Sequence, residues 1–162
     1  IIWKYFIQKI KYENNQIDLS NAILIHGGGW KKMVDEQVDN KKFKKILNTR
    51  FKLKKVYNYY GMVEQTGSIY VECEKGYLHT NSFNDIIIRD QNTFEPKKFN
   101  NKGIIQVLSI LPHSYPGHSI LTEDLGIIYG DSDCKCGRSG KYFKVFGRLQ
   151  NSEVRGCSDT YE

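Results

Sequence analysis

Cys157 stands five residues from the end of the chain, in the polar, glycine-flanked run Glu153-Val154-Arg155-Gly156-Cys157-Ser158-Asp159. A thiol on such a tail is reachable and mobile, and it can carry an acyl group from one site to another. Arg155 favours the thiolate while Glu153 and Asp159 oppose it, so the neighbouring charges do not by themselves activate it. Upstream, Tyr60-Gly61-Met62-Val63-Glu64 sets an aromatic stacking face beside a carboxylate, the hard oxygen ligand that Mg²⁺ prefers. Asp124, in Leu121-Thr122-Glu123-Asp124-Leu125-Gly126, offers two oxygens that accept hydrogen bonds, and Arg148, after Gly147, offers a fixed charge and forked donors. In His26-Gly27-Gly28-Gly29-Trp30 the backbone can approach a planar or anionic ligand, since no Cβ stands in the way. The plain alternative is a tight turn with Trp30 packed into the core. Cys134-Lys135-Cys136-Gly137-Arg138 holds half of a zinc site. Four ligands are needed, and Cys73, His79 or His118 would complete the set only by converging in space, so a tight β-turn is the preferred reading. His113 and His118 could touch substrate or serve as polar surface.

These segments, in this order, resemble the acyl-protein synthetases of bacterial bioluminescence, the fatty-acid-activating subunits of a fatty acid reductase complex, over nearly the whole chain. Tyr60 to Glu64 is similar to the aromatic-Gly-x-Thr-Glu motif of the wider adenylate-forming superfamily, and Leu121 to Gly126 resembles its later Thr-Gly-Asp motif. The resemblance implies that Tyr60 lies against adenine beside Gly61, that Glu64 holds the Mg²⁺ of ATP, and that Asp124 accepts from both ribose hydroxyls. It also implies that Arg148 reaches ribose or phosphate oxygens, that Gly27, Gly28 and Gly29 line the nucleotide, and that Cys157 is the acyl acceptor. Val63 replaces the usual threonine, so a hydroxyl contact to the α-phosphate is not carried over, and Glu123 replaces the usual glycine. Most relatives continue into a small domain with a catalytic lysine, whereas this chain reaches Glu162 with Gln150 and Asn151 at the usual hinge. The expected activity is therefore ATP-dependent formation of acyl-AMP, transfer of the acyl group to Cys157 as a thioester, and delivery to an acyl reductase.

Two strands flanking a helix must present the first of these motifs. Asn21 to His26 reads as a buried strand stopped by glycines, and Lys55 to Tyr60 as a second strand closing on Gly61. Between them Phe43, Ile46, Leu47 and Phe51 recur at helical spacing. After Gly67 short β-rich runs follow one another: Ser68 to Glu72, Asp85 to Arg89, Gly103 to Leu111, Gly126 to Tyr129 and Lys141 to Phe146. The expected fold is thus α/β, the end of an α/β nucleotide-binding subdomain over residues 1–70, then a mostly antiparallel sheet or partial barrel over 71–149, with a tail at 150–162. Pro96, Pro112 and Pro116 fall in connections, where the missing N–H is harmless.

The formal net charge of +6 comes from one stretch, since Lys31 to Lys55 holds ten lysines and arginines against Asp35, Glu36 and Asp39. A solvated helix face explains it, and a basic, zinc-containing nucleic-acid module is the alternative from another function class. A phenylacetate-type acyl-CoA ligase is a third reading. The chain starts at Ile1 and shows no phosphate loop ending in lysine, so it reads as the C-terminal portion of a longer enzyme. It has no apolar run long enough to span a membrane and no export signal, and its four cysteines make no disulfide framework, which points to a reducing cytoplasm.

Overall fold

The computed structural model describes residues 5, 8, 9, 17–27, 38–113 and 116–149. They fall into two compact units, the first made of described residues 5, 8, 9, 17–26 and 38–57 and the second of Gly27 and the described residues from Asn58 onward. In the first, helix α1 (Asn40–Phe51) starts where the Asp39 side chain accepts a hydrogen bond from the Lys42 N–H at 2.8 Å, satisfying one of the helix's orphan donors. Its apolar stripe follows the predicted spacing at Phe43, Leu47 and Phe51, while Ile46 is half-buried and outside the cluster. Leu47 and Phe51 are buried together with Leu53 and Val56, and Ile17, Leu19, Ala22, Leu24 and Phe43 pack against them. Lys41, Lys42, Lys45 and Arg50 face solvent, so much of the basic run is a hydrated helix surface. The helix stops at Lys52, which takes a left-handed φ of 56°, while the Leu19 N–H reaches the Phe51 carbonyl at 2.8 Å. Strand β1 (Ile23–Gly27) lies beside β2 (Lys55–Tyr60) in a sheet that β3 (Tyr70–Val71) completes.

The second unit is built on a five-stranded sheet in the order β4 (Leu78–His79), β8 (Lys141–Arg148), β7 (Ser119–Asp131), β6 (Gly103–Ser109), β5 (Asn84–Arg89). Every pair is antiparallel. The period of two sets the core: β5 alternates buried and half-buried residues, turning Ile86 and Ile88 toward Ile105, Val107, Ile128 and Phe143. The sheet curls. Lys141 of β8 extends its ammonium to the Asp85 carboxylate and the Ile86 carbonyl of β5, at 2.7 and 2.9 Å, although two strands intervene in the sheet order. This is the mixed α/β and antiparallel architecture expected, with the partial-barrel curvature.

Three details differ from the sequence expectation. The units divide between Tyr57 and Asn58, inside β2, and not near residue 70, because the end of β2 is tied to the second unit. The Asn58 N–H donates to the Glu72 carboxylate and the Glu72 N–H to the Asn58 carbonyl, at 2.9 and 2.8 Å, while Tyr60 and Met62 pack on the larger core. Strand β7 runs for thirteen residues and carries the whole Leu121 to Gly126 motif, of which periodicity marked only the end. Strand β4, two residues long, is too short to show a period at all. No helix among the described residues is long and apolar enough to cross a membrane.

Candidate functional site

Tyr60 is the last residue of β2, and its ring is held by aromatic neighbours, with centroids 6.0 Å from Tyr70 and 6.3 Å from Phe143. Its hydroxyl donates to Asp124 Oδ2 at 2.7 Å. Burial first, then the charge of Asp124 and this hydrogen bond, push the Tyr60 phenol far above its ordinary value, so it remains a donor at any physiological pH. Asp124 sits midway along β7, its side chain 20% exposed, with its own N–H bonded to the Thr122 hydroxyl at 3.1 Å. That hydroxyl donates in turn to the Ile105 carbonyl at 2.7 Å, which locks the motif onto β6.

Arg148 arrives opposite Asp124 because the ladder shifts. Asp124 pairs with Arg148 but Gly126 pairs with Val145, so β8 spends one more residue than β7 over this interval. Gly147, at φ 92°, absorbs the irregularity in a conformation that costs a side-chain-bearing residue dearly. The guanidinium Nε lies 3.6 Å from Asp124 Oδ1 and Nη1 lies 3.7 Å from Glu123 Oε2. These are ion-pair separations longer than a hydrogen bond, and the Arg148 side chain is 45% exposed. The result is a partly exposed carboxylate with one oxygen oriented by a phenol and the other beside a cation. Each oxygen keeps lone-pair capacity for ligand hydroxyls.

Glu64 lies in a short 3-10 turn, Val63–Gln65, and is exposed. The neighbouring Gln65 is what fixes this turn, and the sequence reading missed it. Its buried Nε2 donates to the carbonyls of Gly117 and Val107 at 2.6 and 3.3 Å. A glutamine after an exposed carboxylate carries no sequence signal of such a role. Gly61 is constrained too, since a Cβ there would stand 3.2 Å from the Ser68 carbonyl. At Gly27 a Cβ would come within 2.6 Å of the Tyr59 ring, so a side chain there would displace that ring. Gly28, Gly29 and Cys157 lie outside the described residues. The structure thus brings Tyr60, Asp124 and Arg148 into one constellation, and gives no contact between them and Glu64 or Gly27. His113 and His118 are both on the exposed surface.

For Cys134-Lys135-Cys136 the structure bears out the tight turn and adds a convergence of side chains beyond it. The turn exists, with the Gly137 N–H bonded to the Cys134 carbonyl at 3.0 Å. It also delivers both thiols to Cys73 and His79, and one ligand atom from each of the four residues lies within 4.8 Å of the other three. Folding supplies the convergence that the spacing could not. Burial raises the Cys134 thiol to about 11. Burial also opposes ionisation of Cys136, but the Arg138 N–H at its sulfur, the other two thiols and the Arg138 charge outweigh it and lower its pKa. Burial, then the charge of Arg138, lowers His79, against a smaller opposing effect of the Ser139 backbone.

The model of one family, acyl-protein synthetase, LuxE, matches residues 3–162. A long-chain-fatty-acid–luciferin-component ligase of Vibrio harveyi is 23% identical over 141 residues, which are 83% of this chain and 35% of that protein. Among solved structures, a 2-hydroxyisobutyryl-CoA ligase in an open conformation superposes with a TM-score of 0.70 at 17% identity, over 91% of this chain and 34% of that one. A long-chain-fatty-acid-CoA ligase from Archaeoglobus fulgidus gives 0.59 at 12% identity, over 90% and 32%. At these identities the structural likeness speaks for the fold. The chain spans about a third of the length of the relatives it matches. With the motif residues on β2, β7 and β8 in the fold of adenylate-forming enzymes, and the family model matched from residue 3 to residue 162, the chain belongs to the LuxE family of acyl-protein synthetases.

Proposed function

We propose that this chain contributes part of an enzyme that activates a fatty acid as acyl-AMP with ATP, captures the acyl group on Cys157 as a thioester, and delivers it to an acyl reductase. One observation carries the reading. Tyr60, Asp124 and Arg148, from three separate strands, are brought together by a hydrogen bond and an ion pair, and each stands in a segment that resembles a nucleoside-binding motif of the superfamily. The names of the Vibrio harveyi ligase and the Archaeoglobus fulgidus ligase support a fatty acid as the substrate class.

In the first step a carboxylate oxygen of the acid attacks the α-phosphorus of ATP and the bond to pyrophosphate breaks. Asp124 would accept from the ribose hydroxyls, oriented by the Tyr60 phenol, and Arg148 would meet ribose or phosphate oxygens. The Tyr60 ring would lie against the base, Gly27 to Gly29 would allow close backbone approach, and Glu64 would meet the Mg²⁺ that enters with ATP. In the second step the Cys157 thiolate attacks the acyl carbon, the bond to AMP breaks, and the thiol proton passes to solvent. Fatty-acid-dependent pyrophosphate exchange by the intact enzyme containing this chain, followed by hydroxylamine-sensitive acyl labelling of the protein, tests the scheme. Exchange with the acyl group recovered only as acyl-CoA would move the assignment to a phenylacetate-type CoA ligase. Absence of exchange would remove it from acid activation.

A further inference from the structure

We propose that Cys73, His79, Cys134 and Cys136 bind one Zn²⁺ in a closed tetrahedral site that holds the edge of the sheet together. The donor set is three thiols and an imidazole, the composition of structural zinc sites, with no position left for water or substrate. Ligand atoms around tetrahedral zinc stand roughly 3.5–3.8 Å apart, from Zn–S and Zn–N bonds of about 2.3 and 2.0 Å. The four atoms here lie within 4.8 Å of one another, and Cys136 Sγ is 3.4 Å from His79 Nε2. Closure around an ion therefore asks for shifts on the order of 1 Å.

The surroundings suit a metal. Cys73, His79 and Cys134 are 1, 5 and 8% exposed, so three of the four ligand residues converge at a spot closed to water, as a structural site requires. The imidazole is oriented by the Tyr142 ring, stacked at 5.9 Å, and its Nδ1 makes no well-formed hydrogen bond among the described residues. The Arg138 N–H points at Cys136 Sγ from 3.4 Å, and the Arg138 guanidinium bonds to the Val71 carbonyl. Outer donors of this kind support metal-bound thiolate.

The location explains the benefit. Cys73 opens the turn between β3 and β4, His79 ends β4, and Cys134 and Cys136 lie in the β7–β8 connection. Strand β4 pairs with β8 at only two positions, Leu78 with Phe143 and His79 with Tyr142. So short an edge strand gains little from its own ladder, and an ion shared by the two turns would fasten it. The role is structural, because Asp124 and Asp131 are seven residues apart on β7. The cluster lies by the Asp131–Lys141 end of the β7–β8 ribbon, whereas Asp124 and Arg148 pair toward its other end.

The test is metal analysis of the intact protein purified without chelator and passed over a metal-scavenging resin. About one zinc per chain is expected. Cobalt exchanged into the protein should give the intense visible bands of a tetrahedral ion and thiolate-to-cobalt charge transfer in the near ultraviolet. Alkylation of the native protein should spare Cys73, Cys134 and Cys136 until a chelator is added, which needs no mutant that folds. Cys136→Ser, the variant at the least buried ligand, should weaken zinc retention at least tenfold. Less than a tenth of a zinc per chain, a weak octahedral cobalt spectrum, or alkylation of Cys73, Cys134 and Cys136 at rates that a chelator does not change would each overturn the site. Full zinc occupancy in a Cys73→Ser/Cys136→Ser double variant would overturn it as well, by placing the ion elsewhere.

Discussion

The Tyr60 hydroxyl and the Asp124 carboxylate, sixty-four residues apart in the chain, share a 2.7 Å hydrogen bond that joins the end of β2 to the middle of β7. The bond aims the carboxylate and keeps one of its oxygens partly occupied. Removing the carboxylate in the full-length enzyme, Asp124→Ala, is expected to raise the apparent requirement for ATP by at least tenfold, from the loss of charge-assisted hydrogen bonds of ~1.5–3 kcal/mol each. Tyr60→Phe should raise it by less, since Asp124 stays but is no longer oriented. Pyrophosphate exchange against ATP concentration distinguishes the two. An unchanged ATP dependence in Asp124→Ala would take that residue out of the site.

Alkaline pH offers a check on the same pair that does not require activity. The folded-state pKa values of Tyr60 and Tyr70 both lie above the ordinary phenol value, chiefly through burial. Their contribution to stability is therefore fully present below about pH 10 and is lost as the pH rises from there toward the folded values. Denaturation midpoints measured from pH 8 to pH 11 should fall above about pH 10 in the wild type and fall less steeply in Tyr60→Phe. Parallel curves would show that the phenol is not coupled to folding.

Glu64→Gln should slow adenylation more than it weakens ATP binding, because a carboxylate at the metal stabilises charge that builds as pyrophosphate departs. Single-turnover acyl-AMP formation at saturating and limiting ATP separates these effects. Equal loss in both would instead indicate that Glu64 merely shapes the turn anchored by Gln65.

Gly147→Ala tests the ladder irregularity. At φ 92° a Cβ has open space around it, so the cost is conformational, about 1–2 kcal/mol, and should appear as a lower melting temperature. If the bulge aims Arg148, ATP dependence should worsen as well. Normal ATP dependence in a folded variant would leave Gly147 with a purely structural role.

Cys157→Ser in the full-length enzyme should leave acyl-AMP formation nearly intact while abolishing hydroxylamine-sensitive labelling by a radioactive fatty acid. The serine hydroxyl is a far weaker nucleophile near neutral pH. Label that persists in this variant and vanishes when Cys73, Cys134 or Cys136 is replaced would move the acyl acceptor to the four-residue cluster.

Local order along the chain was sufficient to reveal helix α1 and strands β2, β5, β6 and β8, while the resemblance of three short motifs marked Tyr60, Asp124 and Arg148 as candidates. Periodicity and glycine punctuation act over a few residues, and both are legible one segment at a time. What Tyr60 touches was not legible, because its partner on β7 is chosen by sheet order and register, which depend on which apolar faces bury together. The same holds for the cysteines. Cys134 and Cys136 reveal two ligands by their spacing, but Cys73 and His79 join them only because β4 lies along β8 and carries its turn to the β7–β8 connection. Strand β4 itself is held by its neighbours and not by its two residues' propensity, and Gln65 becomes an anchor only after β6 and Gly117 arrive to accept its donor. Residue types are written in the sequence, whereas contacts between distant residues are decided by the burial that closes the sheet.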